Sequence, residues 1–176
     1  MEGTDLLDAQ CRNAVRILDS ALGMRACGIV VSGHGTPRFS CEESPFRLTM
    51  RSLVAPVMPI LGYEPPRYDS NATECPGSTV MAFVPMNRPM DDAIRQTLMV
   101  MRSDRIPRGI STDGFVWILS EMGSYGPRVR MVSDLRPYYV EALDESRFGI
   151  AMPIDRGAAE EFLMMFKRSG ENRGAR

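Results

Sequence analysis

The most constraining part of this sequence is the segment 79–121, in which patterns for a strand, a helix and a hairpin follow one another. Thr79–Val84 is apolar and has a composition typical of strands, and Pro85, which lacks a backbone N–H, is expected to end it. Asp91 is placed to cap a helix. The apolar residues of that helix recur at i, i+4 and i+7, which predicts a buried side made of Ile94, Leu98 and Met101.

The hairpin is predicted from Ile106–Thr112 and Phe115–Glu121, two strand-like runs on either side of Asp113-Gly114. This dipeptide favours a two-residue type I′ turn, because both central residues of that turn need a positive φ. The run FVWIL is apolar throughout, so we expect the second strand to be covered on both faces and Trp117 to lie inside the protein. A strand, a helix and a hairpin in this order predict an α/β fold.

Three further helices are expected. The first is capped by Thr4, and the second opens with Ser44-Pro45 and should kink or end early at Pro56 or Pro59. The third is capped by Asp155. Helical spacing predicts the buried side of the first helix, Leu7, Cys11, Val15, Leu18 and Leu22, and that of the last, Ala159, Phe162, Leu163 and Phe166.

Further strands are predicted at Cys27–Ser32, Arg128–Val132 and Tyr138–Leu143. The second of these alternates polar with apolar residues, as a half-buried strand does. Gly33-His34-Gly35 follows the first of them, and glycines can let backbone amides approach a phosphate. The segment lacks the complete phosphate-loop motif, so an ordinary turn is the favoured interpretation.

Composition narrows the functional classes. A chain of 176 residues suits one domain with its own core, and a net charge of −1 provides no global basic field for nucleic acid. No run reaches the length of a membrane span, and the N-terminus lacks signal-peptide features, so a cytoplasmic protein is expected. The cysteines do not show the clustered spacing of zinc sites, which predicts reduced thiols at Cys11, Cys27, Cys41 and Cys75.

Three segments carry a resemblance to a known family: Asp91–Gln96 (DDAIRQ), Gly109–Leu119 (GISTDGFVWIL), and the helix region Glu43–Tyr63 with its Pro56 and Leu-Gly-Tyr end. They resemble the N-terminal nuclease domain of type I restriction enzyme restriction subunits and its stand-alone relatives, in the PD-(D/E)XK nuclease superfamily. The resemblance covers residues 41–168. It implies a restriction-endonuclease-like sandwich, with a central mixed sheet of about five strands flanked by helices.

On this basis the chain divides into an N-terminal helical extension (1–36), a restriction-endonuclease-like domain (37–169) and a frayed tail (170–176). The family's catalytic Glu-x-Lys signature falls on Ala82 and Val84, and the only lysine of the chain is Lys167. Nuclease chemistry of this kind needs carboxylates that hold Mg²⁺. We therefore expect a catalytically degenerate nuclease fold without a resident cofactor.

The resemblance also indicates remnants of a site. Glu43, Asp69 and Gln96 are the remnant-site residues, with Glu74 as a second choice for Asp69; the alternatives are solvated loop carboxylates and an exposed helix residue. If Glu43 or Asp92 moved into the site, an active Mg²⁺-dependent endonuclease would be restored. A set of arginines could contact nucleic-acid phosphates or simply be solvated: Arg95, Arg102, Arg105 and Arg108.

Three functions therefore stay open: a degenerate nuclease fold that binds nucleic acid or a protein partner, an active endonuclease with a rearranged site, and a structural or assembly subunit. A homodimer is also predicted, through the apolar side of the first helix. The alternative for that helix is that it covers one face of the chain's own sheet.

Overall fold

The computed structural model describes residues 3–35, 42–67, 78–150, 152 and 154–168. Among these residues no helix has the length and apolar character that crossing a bilayer requires. A π-helical turn, Met50–Val54, continues the third helix. The elements in chain order are α1 (Gly3–Leu22), α2 (Met24–Val31), α3 (Pro45–Thr49), β1 (Thr79–Phe83), α4 (Asp91–Asp104), β2 (Arg108–Thr112), β3 (Val116–Gly123), β4 (Gly126–Asp134), α5 (Arg136–Phe148) and α6 (Arg156–Phe166).

The strands of the described residues form one mixed sheet in the order β1-β2-β3-β4. β1 and β2 are parallel because α4 connects them as a crossover, whereas the β2–β3 and β3–β4 pairs are antiparallel. Helices flank this sheet, so the predicted α/β sandwich is confirmed, with four strands in the described residues instead of about five.

One side of the sheet, which we name the core face, carries Met81, Ile110, Trp117 and Leu119. These side chains join a hydrophobic cluster with residues of α1, α2, α5 and α6. Trp117 is fully buried, as predicted, and its ring packs edge-on against Phe162 at a centroid distance of 5.5 Å. Its indole N–H donates to the Gly114 carbonyl at 3.1 Å, so the polar atom of this core residue is satisfied.

The opposite side of the sheet, which we name the α4 face, is covered by α4. The predicted stripe of this helix is correct only at Met101, because the buried residues are Ala93, Thr97 and Met101, while Ile94 and Leu98 are half-buried. The reason lies in β2. Gly109 has no side chain, which lets α4 approach closely, and the Thr97 hydroxyl lies 2.8 Å from the Ser111 hydroxyl. A polar residue therefore occupies the centre of the interface.

The N-terminal helices belong to the same core as the sheet. The predicted side of α1 is buried at Leu7, Cys11, Val15 and Leu18, against α5, α6 and α2 of the same chain. The homodimer stays a prediction, but the face of α1 that motivated it is covered by the chain itself.

The strand predicted at Cys27–Ser32 is wrong, because the chain re-enters a helix there. Gly23, at a φ of 80°, separates α1 from α2. Cys27, Val30 and Val31 are the buried residues of α2, and their i, i+3, i+4 spacing is helical. Packing against α1 thus overrides the strand propensity of the β-branched residues.

The strand predicted at Tyr138–Leu143 is also wrong, since these residues lie within α5. Pro137 occupies the first turn of that helix, where its missing N–H leaves no hydrogen bond unmade. The Tyr139 ring packs edge-on against Phe115 at a centroid distance of 5.1 Å. Two adjacent tyrosines favour a strand locally. The segment is nevertheless helical, because both tyrosines are buried when they lie on α5.

The predicted helix starts at Ser44 and Asp155 are confirmed. The Ser44 hydroxyl accepts a hydrogen bond from the Arg47 N–H at 3.2 Å, and the Asp155 carboxylate accepts one from the Gly157 N–H at 2.8 Å. The π-helical turn after α3 ends at Val54, before Pro56, as expected. Asp91 is the first residue of α4, and its capping position is occupied by Met90.

Candidate functional site

The strand that should carry the nuclease signature is β1, and its end is apolar. Ala82 is buried on the α4 face and pairs in register with Ser111. The Val84 N–H donates to the Thr112 carbonyl at 3.1 Å, which extends the pairing beyond β1 by one residue. These two positions contribute backbone pairing and apolar packing to the sheet.

The remnant-site residues lie apart in the described part of the chain. Glu43 accepts two hydrogen bonds from the Arg51 guanidinium, at 3.2 and 2.7 Å, and this contact lowers the pKa of the Glu43 carboxyl. Gln96 is exposed on α4, and Asp92 forms an ion pair with Arg95 at 3.8 Å. Asp69 and Glu74 fall outside the described residues.

Metal-ligating residue types do not gather in groups of three or more within the described residues. Cys11 and Cys27 are buried thiols, as predicted, and burial raises the pKa of each to about 12. Cys41 and Cys75 lie outside the described residues. His34 is exposed, and its Nδ1 lies 3.0 Å from the Ser32 hydroxyl in the turn that follows α2.

The loop between β2 and β3 is held by hydrogen bonds to the Asp113 carboxylate. The predicted type I′ turn is wrong. Gly114 has a φ of 90°, but Asp113 does not adopt a positive φ. Instead, its Oδ1 accepts hydrogen bonds from the Phe115 N–H at 2.9 Å and the Val116 N–H at 2.7 Å. An Asx-type turn of this kind stabilises a longer loop through side-chain bonds that a dipeptide pattern does not reveal.

Asp113 also anchors a network that joins loops at the carboxyl ends of β1 and β2. Its Oδ2 accepts a hydrogen bond from the Asn87 N–H at 3.1 Å, and the Asn87 side chain accepts one from Arg136 at 3.0 Å. Burial raises the pKa of Asp113, although three backbone N–H groups and the charge of Arg136 act in the opposite direction. Because the chain's own groups occupy the carboxylate, this network holds the loops together.

The turn at Gly33-His34-Gly35 packs beside this network. The Asn87 amide donates to the carbonyls of Val30, at 2.9 Å, and Gly35, at 3.4 Å. A Cβ added at Gly33 would lie 2.4 Å from a guanidinium nitrogen of Arg136. Gly33 also has a φ of 76°, a left-handed conformation that favours glycine in a turn, which agrees with the favoured interpretation of this segment.

The four arginines of the predicted nucleic-acid site divide between the two sides of the sheet. Arg108 begins β2 on the core face, and its guanidinium donates to the Met165 carbonyl of α6. Arg95, Arg102 and Arg105 lie on α4 or at its end, within an arc of about 100° that also contains Ile94 and Leu98. Arg102 reaches toward Gly126 at the start of β4, so this arc points to β4.

A groove runs between that side of α4 and β4. We name it the α4–β4 groove; it consists of Leu98, Met99, Arg102, Ser103, Pro127, Val129 and Val132. Its first five residues line a cleft of about 430 Å³. The exposed fraction is 63% for Met99, 43% for Val129 and 59% for Val132. These three apolar residues therefore lie at the surface and not in the core.

The register of the sheet places the β4 residues of this groove on the α4 face. Val132 pairs with Ile118, which pairs with Ser111 beneath α4. On the other side of a β-bulge, Val129 pairs with Ser120. Arg130 is the extra residue of that bulge, and it lets Val129 and Val132 point to the same side although they are three positions apart. Without a bulge, side chains alternate along a strand, and residues three positions apart point to opposite sides. The sequence therefore did not predict that Val129 and Val132 share one surface.

The assignment of a function rests on the chain's own residues and geometry. The chain matches no protein-family model, no curated protein and no solved structure.

Proposed function

We propose that this chain is a non-catalytic binding or assembly protein on a restriction-endonuclease-like scaffold, with the α4–β4 groove as its binding surface. The observation that carries the proposal is the exposed apolar part of the α4 face at Val129 and Val132. Contiguous apolar surface of this kind marks interaction sites on folded proteins.

Burial of the exposed apolar side chains in the groove would contribute free energy to binding a partner. Full burial of a valine or methionine side chain contributes ~1.5–3 kcal/mol, so completing the burial of a half-exposed one contributes ~1 kcal/mol. Met99, Val129 and Val132 together would then contribute about 3 kcal/mol to binding a partner. A partner that covered these side chains would remove their apolar surface from water.

The polar groups support binding over catalysis. A nuclease of the superfamily that this chain resembles needs an acid and a lysine at the positions of Ala82 and Val84. A replacement acid at Glu43 would have to leave a cationic partner, since Glu43 forms an ion pair with Arg51 at 2.7 Å, and Asp92 is exposed on α4. Groups already compensated by an arginine are poor starting points for a divalent-metal site.

The test is a cleavage assay with purified protein on single- and double-stranded DNA and on RNA, with Mg²⁺ or Mn²⁺. We expect no cleavage above a metal-free control, and no difference between the wild type and Asp69→Ala or Glu43→Ala. Metal-dependent cleavage that either substitution abolishes would contradict the proposal and support the rearranged-site endonuclease.

A further inference from the structure

The α4 face lacks cover along its β4 edge, where Val129 and Val132 are exposed. Neighbouring strands lie ~4.8 Å apart and a packed helix occupies ~10 Å, so one helix covers about two strands. α4 packs mainly over β1 and β2, where Gly109 and Ser111 contact it. A second helix at this edge would lie on β4, over Val129 and Val132, because Ile118 of β3 is already buried.

The walls of this gap differ in charge. The β4 wall presents the uncharged residues Pro127, Val129 and Val132 and ends at the acidic Asp134. The α4 wall presents Ile94 and Leu98 near the sheet and Arg95, Arg102 and Arg105 farther out. Asp92 offsets Arg95 only through an exposed contact at 3.8 Å, which contributes little. The groove therefore has an apolar floor along β4 and a basic rim at Arg102 and Arg105, whereas Asp91 and Asp92 lie beside Arg95 at the other end of α4.

We propose that the α4–β4 groove binds an amphipathic helix of a protein partner, with apolar residues on the β4 side and acidic residues against the arginines of α4. This inference rests on the proposed binding function and adds the chemistry of the partner. Helices of this type dock in grooves through apolar residues at i, i+3, i+4 and i+7, and complementary charges select the partner.

The same features disfavour an added strand as the occupant. Pro127 has no backbone N–H, and the bulge at Arg130 interrupts the regular alternation of donors and acceptors along β4. A strand that paired with this edge would lose its register in the middle of β4. A nucleic acid could contact the arginines through its phosphates, but a net charge of −1 gives the chain no global basic field to attract it.

The probe for this inference is a designed helical peptide with leucines at i, i+3, i+4 and i+7 and glutamates along one flank. Its control is the same peptide with lysines in place of the glutamates. Fluorescence anisotropy at low salt should show saturable binding of the glutamate peptide and at least tenfold weaker binding of the lysine peptide. Added salt should weaken the first complex, because exposed charges are screened.

Two variants test the two walls. Val129→Thr/Val132→Thr should weaken the glutamate peptide at least tenfold, whereas Leu6→Gln, at an exposed position of α1, should leave its affinity unchanged. Arg95→Glu/Arg102→Glu should reverse the preference toward the lysine peptide. Arg16→Glu on α1 is the matched control and should change neither affinity.

Equal binding of both peptides, absence of binding, or an unchanged affinity in the double threonine variant would overturn the inference.

Light scattering of the protein alone is a further test. A dimer that Val129→Thr/Val132→Thr converts to a monomer would make a second copy the occupant, and would also overturn it. If the peptide fails and the cleavage assay is silent, the partner chemistry is wrong and the non-catalytic assignment stands; metal-dependent cleavage would remove both.

Discussion

The two sides of the sheet differ in how completely the chain covers them. On the core face, Trp117 and its neighbours are buried under helices from both ends of the chain. On the α4 face, one helix covers β1, β2 and Ile118 of β3, and the apolar side chains of β4 stay exposed. The same residue types thus stabilise the fold on one side and remain available to a partner on the other.

Buried and exposed apolar residues lie side by side on the α4 face, although the sequence alone does not distinguish them. Ile118 and Val132 are register partners on neighbouring strands of the α4 face. Ile118 is 6% exposed and Val132 is 59% exposed. The boundary between the buried part of the fold and the proposed binding surface therefore runs between β3 and β4, a distance of one strand spacing.

The largest effect is expected on the core face. Trp117→Ala should lower the free energy of unfolding by about 3–5 kcal/mol, because it removes the edge-on contacts with Phe162 and Phe166 and leaves a cavity. Urea denaturation of the purified variant measures this value. A loss below about 1 kcal/mol would show that the core face is not the main source of stability.

The covered half of the α4 face should respond next. At Gly109, an added Cβ would lie 2.3 Å from the Thr97 methyl group and 2.6 Å from the Met101 sulfur, so α4 must shift to accept it. Gly109→Ala should therefore lower the free energy of unfolding by about 1–3 kcal/mol in the same denaturation experiment. Gly3→Ala is the control, because Gly3 lies outside the sheet. Gly149→Ala cannot serve, since Gly149 has a φ of 68°.

A smaller effect concerns the pH dependence of stability at Asp113. Burial raises the pKa of this carboxyl above its ordinary value of 3.8, so between the two values the folded protein holds a proton that the unfolded chain has released. Stability relative to Asp113→Asn should therefore fall as the pH rises through that window and stay constant above it. Denaturation midpoints of both proteins across the window give the difference, and a difference that rises with pH would contradict the assigned burial.

The sequence allows prediction of features that depend on short-range patterns. The buried side of α1 at Leu7, Cys11, Val15 and Leu18 follows from spacing alone, and the burial of Trp117 follows from the apolar run around it. Features that depend on distant packing were mispredicted. Residues 27–31 and 138–143 have strand propensity, but their contacts with α1 and Phe115 make them helical.

The α4–β4 groove, which we propose as a binding surface, belongs to the second kind of feature. It depends on the bulge at Arg130, which aligns Val129 and Val132, and on the position of α4, which Gly109 and Thr97 determine. Neither follows from the periodicity of one segment. The arginines of α4 were singled out from the sequence as phosphate contacts or solvated residues, whereas the exposed apolar residues beside them needed the register of the sheet.

The central claim is that the exposed valines of β4 belong to a binding surface and not to the fold. Threonine substitutions test it directly, because threonine keeps the β-branched shape and strand propensity of the residues it replaces. By urea denaturation, Val129→Thr/Val132→Thr should keep the free energy of unfolding within about 0.5 kcal/mol of the wild type, whereas Ile118→Thr should lower it by about 2–3 kcal/mol. A loss of several kcal/mol in the double valine variant, comparable to that of Ile118→Thr, would contradict the claim.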